Sequence, residues 1–326
     1  MDPSRHQALQ LAAAHGLDEG RTRALLALAG LGRPPDIPPR AQRLASATIA
    51  ALLAGLGLVF LVAANWHEIG RHAKFGGLGG IVLLAGLVAW ARPGTARTAA
   101  ALLCFLAGGA LLALIGQTYQ TGADPWQLFA LWAVLTLPLA LAARSDALWS
   151  GWAIVACTTI GLWLHAWSGQ RWFFDETASL APQLAAWLAS VAVAGLLHPA
   201  LAPRTGAGPW AFRIAVLLAA LLVTSSALTG LFASQPAATY PLGLLLLAAG
   251  AGLLSRRRLF DLAALSLLAL AIDTLLVCGF GRFLMEGIDG KPIAAMLVLG
   301  LIATGVLAAS VTALMRLRAA CGGSDD

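Results

Sequence analysis

The feature that most constrains this chain is a series of apolar segments, each about twenty residues long, that recurs from residue 44 to residue 314. Segments of this length match the hydrocarbon thickness of a lipid bilayer, which one α-helix crosses. Hydrophobic residues make up 59% of the 326 residues and charged residues only 11%, too few to cover the surface of a soluble domain of this size. We therefore predict an all-α fold, a polytopic bundle of membrane-spanning helices.

Ten transmembrane helices are predicted, with ends placed to within about two to four residues. They lie near residues 45–64, 75–91, 98–116, 126–143, 148–167, 180–197, 210–231, 238–254, 259–278 and 293–314. The predicted organisation is a cytoplasmic helical hairpin with a proline-rich linker over residues 1–43, a transmembrane domain over residues 44–316, and a cytoplasmic tail over residues 317–326.

The distribution of basic residues predicts the orientation of these helices. With ten spans and a cytoplasmic N-terminus, sixteen of the 21 lysine and arginine residues fall in cytoplasmic segments and five in outer loops. This bias agrees with the positive-inside rule. Both termini are therefore expected in the cytoplasm, because an odd number of spans would remove the asymmetry.

The first 43 residues are expected to form two short helices rather than a signal peptide, since no apolar segment follows the first basic residues. Gly16 is placed to end the first helix, and Asp18 to cap the second. The second helix offers few side chains that would read bases, so no nucleic-acid partner is predicted. The hairpin is instead expected to lie at the inner face of the membrane.

The sequence carries no signature of catalysis or metal binding. It has no GxSxG, Walker A or HExxH segment, and its cysteines show no CxxC or Cys/His spacing. We therefore predict no metal, no cofactor and no enzymatic activity. An intramembrane enzyme with dispersed catalytic residues is the open alternative.

A compact polar group stands at the end of the first predicted span. Asn65, Trp66, His67 and Glu68 follow one another where the helix should reach the outer interface. Asn65 and Glu68 are about one helical turn apart, so they would present an amide and a carboxylate together. The alternative is a polar helix cap with an interfacial tryptophan.

A second polar group closes the third predicted span, in the segment IGQTYQTGADPW. Gln117 and Tyr119 precede the turn, and Gly122 gives the turn its backbone freedom. Asp124 is placed to cap the helix that Pro125 starts. The segment is either an outer hairpin or, together with the first group, an outward-facing polar ligand site.

These two groups carry a family resemblance. The segment LVAANWHEIGRHAKF, followed about forty residues later by IGQTYQTGADPWQLFALWAVLTLPLAL, is similar to the bacterial family of predicted membrane proteins catalogued as domain of unknown function 2157. The resemblance covers roughly residues 5–150 and implies a multi-pass protein of the bacterial inner membrane without an established activity. The positions that match the family's motifs are Asn65, Trp66, Gly116, Gln117 and Tyr119, and none receives a catalytic role from the resemblance.

Asp273 stands inside the ninth predicted span, twelve residues beyond Asp261 and so roughly 18 Å along a helix. An ionised carboxylate near the bilayer centre costs on the order of 3 kcal/mol, so this group must be protonated, paired or open to water. It is a candidate carboxylate for proton coupling or solute binding, or else a packing carboxyl that hydrogen-bonds to a neighbouring helix. His165 and Thr274 are its candidate partners.

Tryptophans near the predicted span ends fit the belt that this residue forms at membrane interfaces. They are Trp66, Trp90, Trp126, Trp149, Trp167 and Trp210. Trp132 and Trp187 lie deeper and are expected to pack between helices.

Three functions are compatible with these features. The first is an inner-membrane protein of undetermined activity whose AANW and GQTY groups form an outward-facing polar site. The second is a secondary transporter of a small solute, proton-coupled through Asp273, in which two five-helix halves would have inverted topology, although the halves show no repeat. The third is a membrane scaffold whose residues 1–43 dock a cytoplasmic protein. All three share the lipid bilayer as a partner, and none identifies a small-molecule ligand.

Overall fold

The structure, a computed structural model, describes residues 3–29, 39–64, 70–119, 122–168, 180–233, 237–287 and 292–322. These residues form α-helices and one 3-10 turn, and no strand occurs among them. The all-α membrane fold predicted from the sequence is confirmed. The chain divides into two compact units, Met1–Ala47 and Thr48–Asp326.

The first unit contains two short helices, α1 (Pro3–Ala14) and α2 (Glu19–Leu28). After α1 the chain turns at Gly16, whose φ of 61° lies in the left-handed region that favours glycine. Asp18 caps α2 as predicted, because its Oδ1 accepts a hydrogen bond from the Arg21 N–H at 2.8 Å. The two helices pack on each other, with Ala12 and Leu26 buried.

Each predicted span coincides with a helix. The helices after the first two are α3 (Pro39–Ala64), α4 (Arg71–Ala91), α5 (Thr95–Tyr119), α6 (Pro125–Ala143), α7 (Asp146–Ser168), α8 (Leu180–Leu196), α9 (Ala202–Thr205), α10 (Pro209–Phe232), α11 (Thr239–Leu254), α12 (Leu262–Gly287) and α13 (Pro292–Gly322). Of these, only the four-residue α9 has no predicted span of its own.

The expected number of ten spans is not confirmed. Within the described parts of the chain, seven helices are long and apolar enough to cross a bilayer: α4, α5, α6, α7, α10, α12 and α13. An eighth span results if α8 and the segment Pro199–Thr205 count as one, although a bend of 54° separates them. One of the predicted spans that is not confirmed is α11, whose 16 residues reach only about 24 Å, less than the roughly 30 Å of the hydrocarbon core.

The helices of the second unit pack in an order close to their order in the chain. From α4 to α7 each helix contacts the next, and α10 then contacts α7, α8, α11 and α12, whereas α13 packs on α12. We call the end of this bundle that carries residues 92–97, 144–146, 198–213 and 255–261 the arginine end, and the opposite end the far end. Because α7, α8 and α10 all contact one another, the polar side chains on these three helices can meet inside the membrane.

Tryptophans hold several of these contacts. The Trp132 indole lies against Gly109, where any side chain would overlap it, and its Nε1–H donates to the Phe105 carbonyl at 3.0 Å. Trp132 and Trp187 therefore pack between helices as predicted. Trp149 does not join the interfacial belt, since it is fully buried and its Nε1–H donates to the Thr205 carbonyl at 2.9 Å.

Candidate functional site

The polar residues that the sequence singles out at the end of α5 are largely exposed. Gln117 is exposed, and Tyr119 is 60% exposed, with its ring centroid 6.1 Å from that of Phe75 on α4. Asp124 has the backbone conformation of a helix N-cap, but its side chain makes no capping hydrogen bond, unlike the prediction. The described members of this group thus form a turn at the far end and no enclosed site.

The second half of that predicted site, Asn65, Trp66 and Glu68, lies outside the described residues. Its contact with Gln117 and Tyr119 stays a prediction. The ring contact between Tyr119 and Phe75 does bring the end of α5 beside the start of α4.

Asp273 is buried between α12 and α13. Its side chain is 8% exposed, and its Oδ1 accepts a hydrogen bond from the Ser310 hydroxyl at 2.6 Å. The partner is therefore Ser310 on α13, not Thr274, whose hydroxyl donates to the Leu270 carbonyl of its own helix. This geometry is that of a carboxyl hydrogen-bonded to a neighbouring helix.

A polar cavity of about 180 Å³ lies between α7, α8 and α10, in the half of the membrane towards the far end. We call it the polar pocket. Its lining consists of Gly161, Leu164, His165, Gln183, Leu222, Ser225, Ser226 and Thr229. None of these residues is acidic, lysine or arginine, so the pocket combines an amide, an imidazole and three hydroxyls without a formal carboxylate or ammonium group.

Gln183 is the distinctive member of the polar pocket. It lies in the first turn of α8, its side chain is 9% exposed, and its Oε1 has no hydrogen-bond partner among the described residues. A buried acceptor left unpaired costs about 1–3 kcal/mol, so native structures nearly always satisfy such atoms. The arrangement is therefore one that a bound molecule or ordered water would complete.

The hydroxyls of the polar pocket direct their protons to the backbone. Ser225 and Ser226 both donate to the Leu222 carbonyl, at 3.0 and 2.7 Å, and Thr229 donates to the Ser225 carbonyl at 2.9 Å. Ser226 Oγ also accepts a hydrogen bond from the Trp187 indole at 3.4 Å. Because each hydroxyl proton is engaged, these oxygens offer acceptor lone pairs, as Gln183 Oε1 does.

A network at the arginine end fixes the helices that carry the polar pocket. Asp146, the first residue of α7, accepts three backbone hydrogen bonds from the start of α10: from Gly208 at 3.1 Å, Trp210 at 3.1 Å and Ala211 at 2.8 Å. A carboxylate is favoured there because the N-terminus of a helix presents unpaired N–H groups and positive potential. This contact sets α7 against α10.

The residues next to Asp146 extend the same network. The Arg144 guanidinium donates to the carbonyls of Ala202 at 3.4 Å, Pro203 at 2.7 Å and Arg204 at 3.3 Å. Arg144 itself has a left-handed backbone, with φ of 50°, which turns the chain from α6 into α7. The connection between α6 and α7 is thereby attached to the segment that leads into α10.

The polar pocket was not predicted from the sequence, although a signal for it exists. Gln183 is a lone amide in an otherwise apolar segment, LAPQLAAW, and Ser225, Ser226 and Thr229 stand at a similar depth in α10. An amide that must find a partner in lipid marks such a position. Nothing in the local sequence shows that these residues, some forty positions apart, face each other.

The fold and its polar interior define the class: this is an all-α, polytopic membrane protein. The family model described as "Predicted membrane protein (DUF2157)" matches residues 9–149, so the resemblance expected from the sequence is confirmed over that stretch. No curated protein and no solved structure matches the chain. The matched residues end in the first turn of α7, whereas the polar pocket lies beyond them.

Proposed function

We propose that this protein resides in the bacterial inner membrane with both termini in the cytoplasm and binds a small uncharged molecule from the outer side. The observation that carries the proposal is Gln183 Oε1, a buried acceptor without a partner among the described residues, on the wall of the polar pocket. Sites for small molecules combine such a concave space with a few placed polar groups.

The chemistry of the polar pocket selects a ligand that donates hydrogen bonds. Its amide oxygen and hydroxyl oxygens accept, and none of the described residues that line it carries a carboxylate to balance a cation. An uncharged polyol, amide or sugar fragment meets both conditions, because each brings several O–H or N–H donors. The chemistry of the described lining therefore supports a binding role.

The orientation rests on the arginine end. Arg92, Arg97, Arg144, Arg204, Arg213, Arg256, Arg257 and Arg258 belong to this end. The positive-inside rule favours the cytoplasm for it, so the polar pocket, in the other half of the bundle, faces outwards. The AANW and GQTY groups belong to the same outer side in this proposal.

Outward access is tested by labelling a cysteine in the polar pocket. In a background with Cys104, Cys157, Cys278 and Cys321 replaced by alanine, Ser225→Cys in right-side-out spheroplasts should react with a membrane-impermeant cationic methanethiosulfonate. The reason is that only a thiol in contact with water ionises to the reactive thiolate. We expect a labelling rate at least about tenfold above that of Leu221→Cys, which lies one turn nearer the middle of α10 on the same face and is 56% exposed.

A second cysteine makes the orientation test two-sided. Arg257→Cys is exposed at the arginine end and should be labelled only in inverted vesicles. Labelling of Ser225→Cys from the cytoplasmic side alone would overturn the proposed orientation. Equal, slow labelling of Ser225→Cys and Leu221→Cys would show that the polar pocket is closed to water.

Replacing Gln183 by methionine should raise stability while removing binding. Without the amide oxygen, which has no partner in the part of the chain that the structure describes, the ligand-free protein in detergent is expected to gain about 1 kcal/mol in free energy of unfolding. The matched control is Gln117→Met, an exposed glutamine at the same end, which should change stability by less than about 0.5 kcal/mol. Thermal unfolding followed by size-exclusion chromatography measures both.

The ligand class is identified by comparing the wild type with the Gln183→Met and Gln117→Met variants. Wild type and Gln183→Met are heated with a panel of neutral sugars, polyols and amides, since a ligand that binds only the folded state raises the unfolding temperature. A compound that stabilises the wild type and Gln117→Met but not Gln183→Met supports the proposal. A destabilised Gln183→Met variant, or a panel without any such difference, contradicts it.

A further inference from the structure

A second and larger cavity lies in the other half of the membrane. It has a volume of about 380 Å³ and runs between α8, α10, α11 and α12 towards the arginine end. We call it the apolar groove. Its walls are mostly leucine, valine, alanine and phenylalanine side chains, and two of its lining residues, Val191 and Leu253, are 44% and 47% exposed.

The apolar groove offers almost nothing to a polar ligand. Its one polar side chain, His198, uses Nδ1 to accept the Ala200 N–H at 3.1 Å and packs its ring edge-on to Phe212, with centroids 4.9 Å apart. Water is disfavoured in an apolar space that provides no hydrogen-bond partners. Because two of its walls, α10 and α12, are long and apolar enough to cross a membrane, the apolar matter that surrounds the groove is lipid acyl chain.

Basic residues stand at the arginine end of the apolar groove. Leu254 and Leu259 line it, and the residues between them in the chain include Arg256, Arg257 and Arg258, all exposed. None of these three forms a salt bridge with the described carboxylates, whereas Arg213 at the same end pairs with Asp261 at 3.0 Å. The three arginines therefore place unneutralised positive charge within a few residues of the groove's lining, at the end of the bundle.

We propose that the apolar groove and this arginine triplet bind one anionic phospholipid. An acyl chain occupies the groove, and the phosphate hydrogen-bonds to the guanidinium groups, which suit phosphate oxygens because they donate in a planar fork. Basic clusters at the cytoplasmic side of membrane helices attract anionic headgroups in the same way. This site shares only α8 and α10 with the polar pocket, so it stands independently of the ligand proposed there.

The test is native mass spectrometry of the full-length protein in detergent, with phosphatidylglycerol or phosphatidylcholine of identical acyl chains as the probe. The wild type should retain a single phosphatidylglycerol in preference to phosphatidylcholine. Replacing the three arginines by glutamine should weaken phosphatidylglycerol binding about fivefold for each charge removed. Phosphatidylcholine binding should weaken less, because the choline ammonium group compensates the charge of its phosphate.

The apolar part of the site is tested at Gly195. Gly195 lines the groove, and a Cβ atom added there meets no atom within 4 Å. Gly195→Leu should therefore fold and weaken the binding of both lipids about tenfold. The control Gly252→Leu fills equally open space on α11 outside the groove and should bind as the wild type does. Arg316→Gln with Arg318→Gln, exposed on α13, controls for general loss of charge.

Each alternative outcome overturns the proposal in a recognisable way. Equal binding of the two lipids by the wild type excludes headgroup recognition by the arginines. Unchanged lipid binding by Gly195→Leu excludes the apolar groove as the acyl-chain site. Displacement of phosphatidylglycerol by millimolar inorganic phosphate would assign the arginines to a free anion, because a held acyl chain resists such competition.

Discussion

Replacing Asp146 with alanine is expected to cost about 3 kcal/mol or more in the free energy of unfolding, because one carboxylate serves three backbone donors. Hydrogen bonds to a charged group contribute about 1.5–3 kcal/mol each, and water can replace part of this at a half-buried position. Asp146→Asn keeps one acceptor oxygen and should lose roughly half as much. Thermal or detergent-induced unfolding measures the series.

Asp124 provides the matched control. It also stands at the start of a helix, immediately before α6, but its side chain caps nothing. Asp124→Ala should therefore leave the free energy of unfolding unchanged within about 0.5 kcal/mol. If the Asp146 and Asp124 variants unfold alike, the contact between α7 and α10 does not depend on this carboxylate.

Asp146 also connects the stretch that the family model matches to the part of the chain beyond it. Arg144, Asp146 and Trp149 belong to the stretch that the family model matches, and all their partners in this network lie between residues 202 and 211. The matched part of the chain is therefore held to the part beyond it by buried and charge-assisted hydrogen bonds. We expect residues 9–149 to fold properly only together with α10.

The helices were predictable because the membrane dictates their length. The expected segments 126–143 and 210–231 agree with Pro125–Ala143 and Pro209–Phe232 within one residue at each end. Proline at the first helical position made these starts sharp. The number of spans was not predictable in the same way, since an apolar run does not show that α8 bends where Pro199 follows or that α11 falls short of the bilayer thickness.

The site was less predictable than the fold for a physical reason. Local sequence shows which residues are polar, and it directed attention to Gln117 and Tyr119, which are exposed. It does not show which polar side chain lacks a partner, because that depends on the helix opposite. Gln183 can be recognised as part of a site only from its position beside Ser225 and Ser226 of α10, which line the same pocket.

Trp149 is a second residue whose environment could not be predicted from the local sequence. A tryptophan near a span end predicts an interfacial anchor. Here the indole N–H donates to the Thr205 carbonyl, 56 positions away in the chain. Because this bond satisfies the only polar group of the side chain, the indole can be completely buried. Only the long-range contact separates the two outcomes.

Ser310→Ala is the second substitution with a large expected effect. It removes the hydroxyl that donates to Asp273 and leaves a carboxyl group, 8% exposed, without that partner. We expect a loss of about 2 kcal/mol in the free energy of unfolding, the usual cost of a buried polar group left unpaired. Thr304→Ala is the control, because the Thr304 hydroxyl donates to the Gly300 carbonyl of its own helix and should cost little.

The double variant Asp273→Leu with Ser310→Ala distinguishes a carboxyl that only packs between helices from one with a functional role. Replacing both partners of a buried polar contact by apolar groups is often neutral or stabilising, so the double variant should be more stable than Ser310→Ala alone. Neither the polar pocket nor the apolar groove includes Asp273 among its lining residues, which agrees with a packing role and gives no support to proton coupling through this residue. A double variant no more stable than Ser310→Ala would instead mean that Asp273 makes a favourable contribution of its own, and its carboxyl would return as a candidate for function.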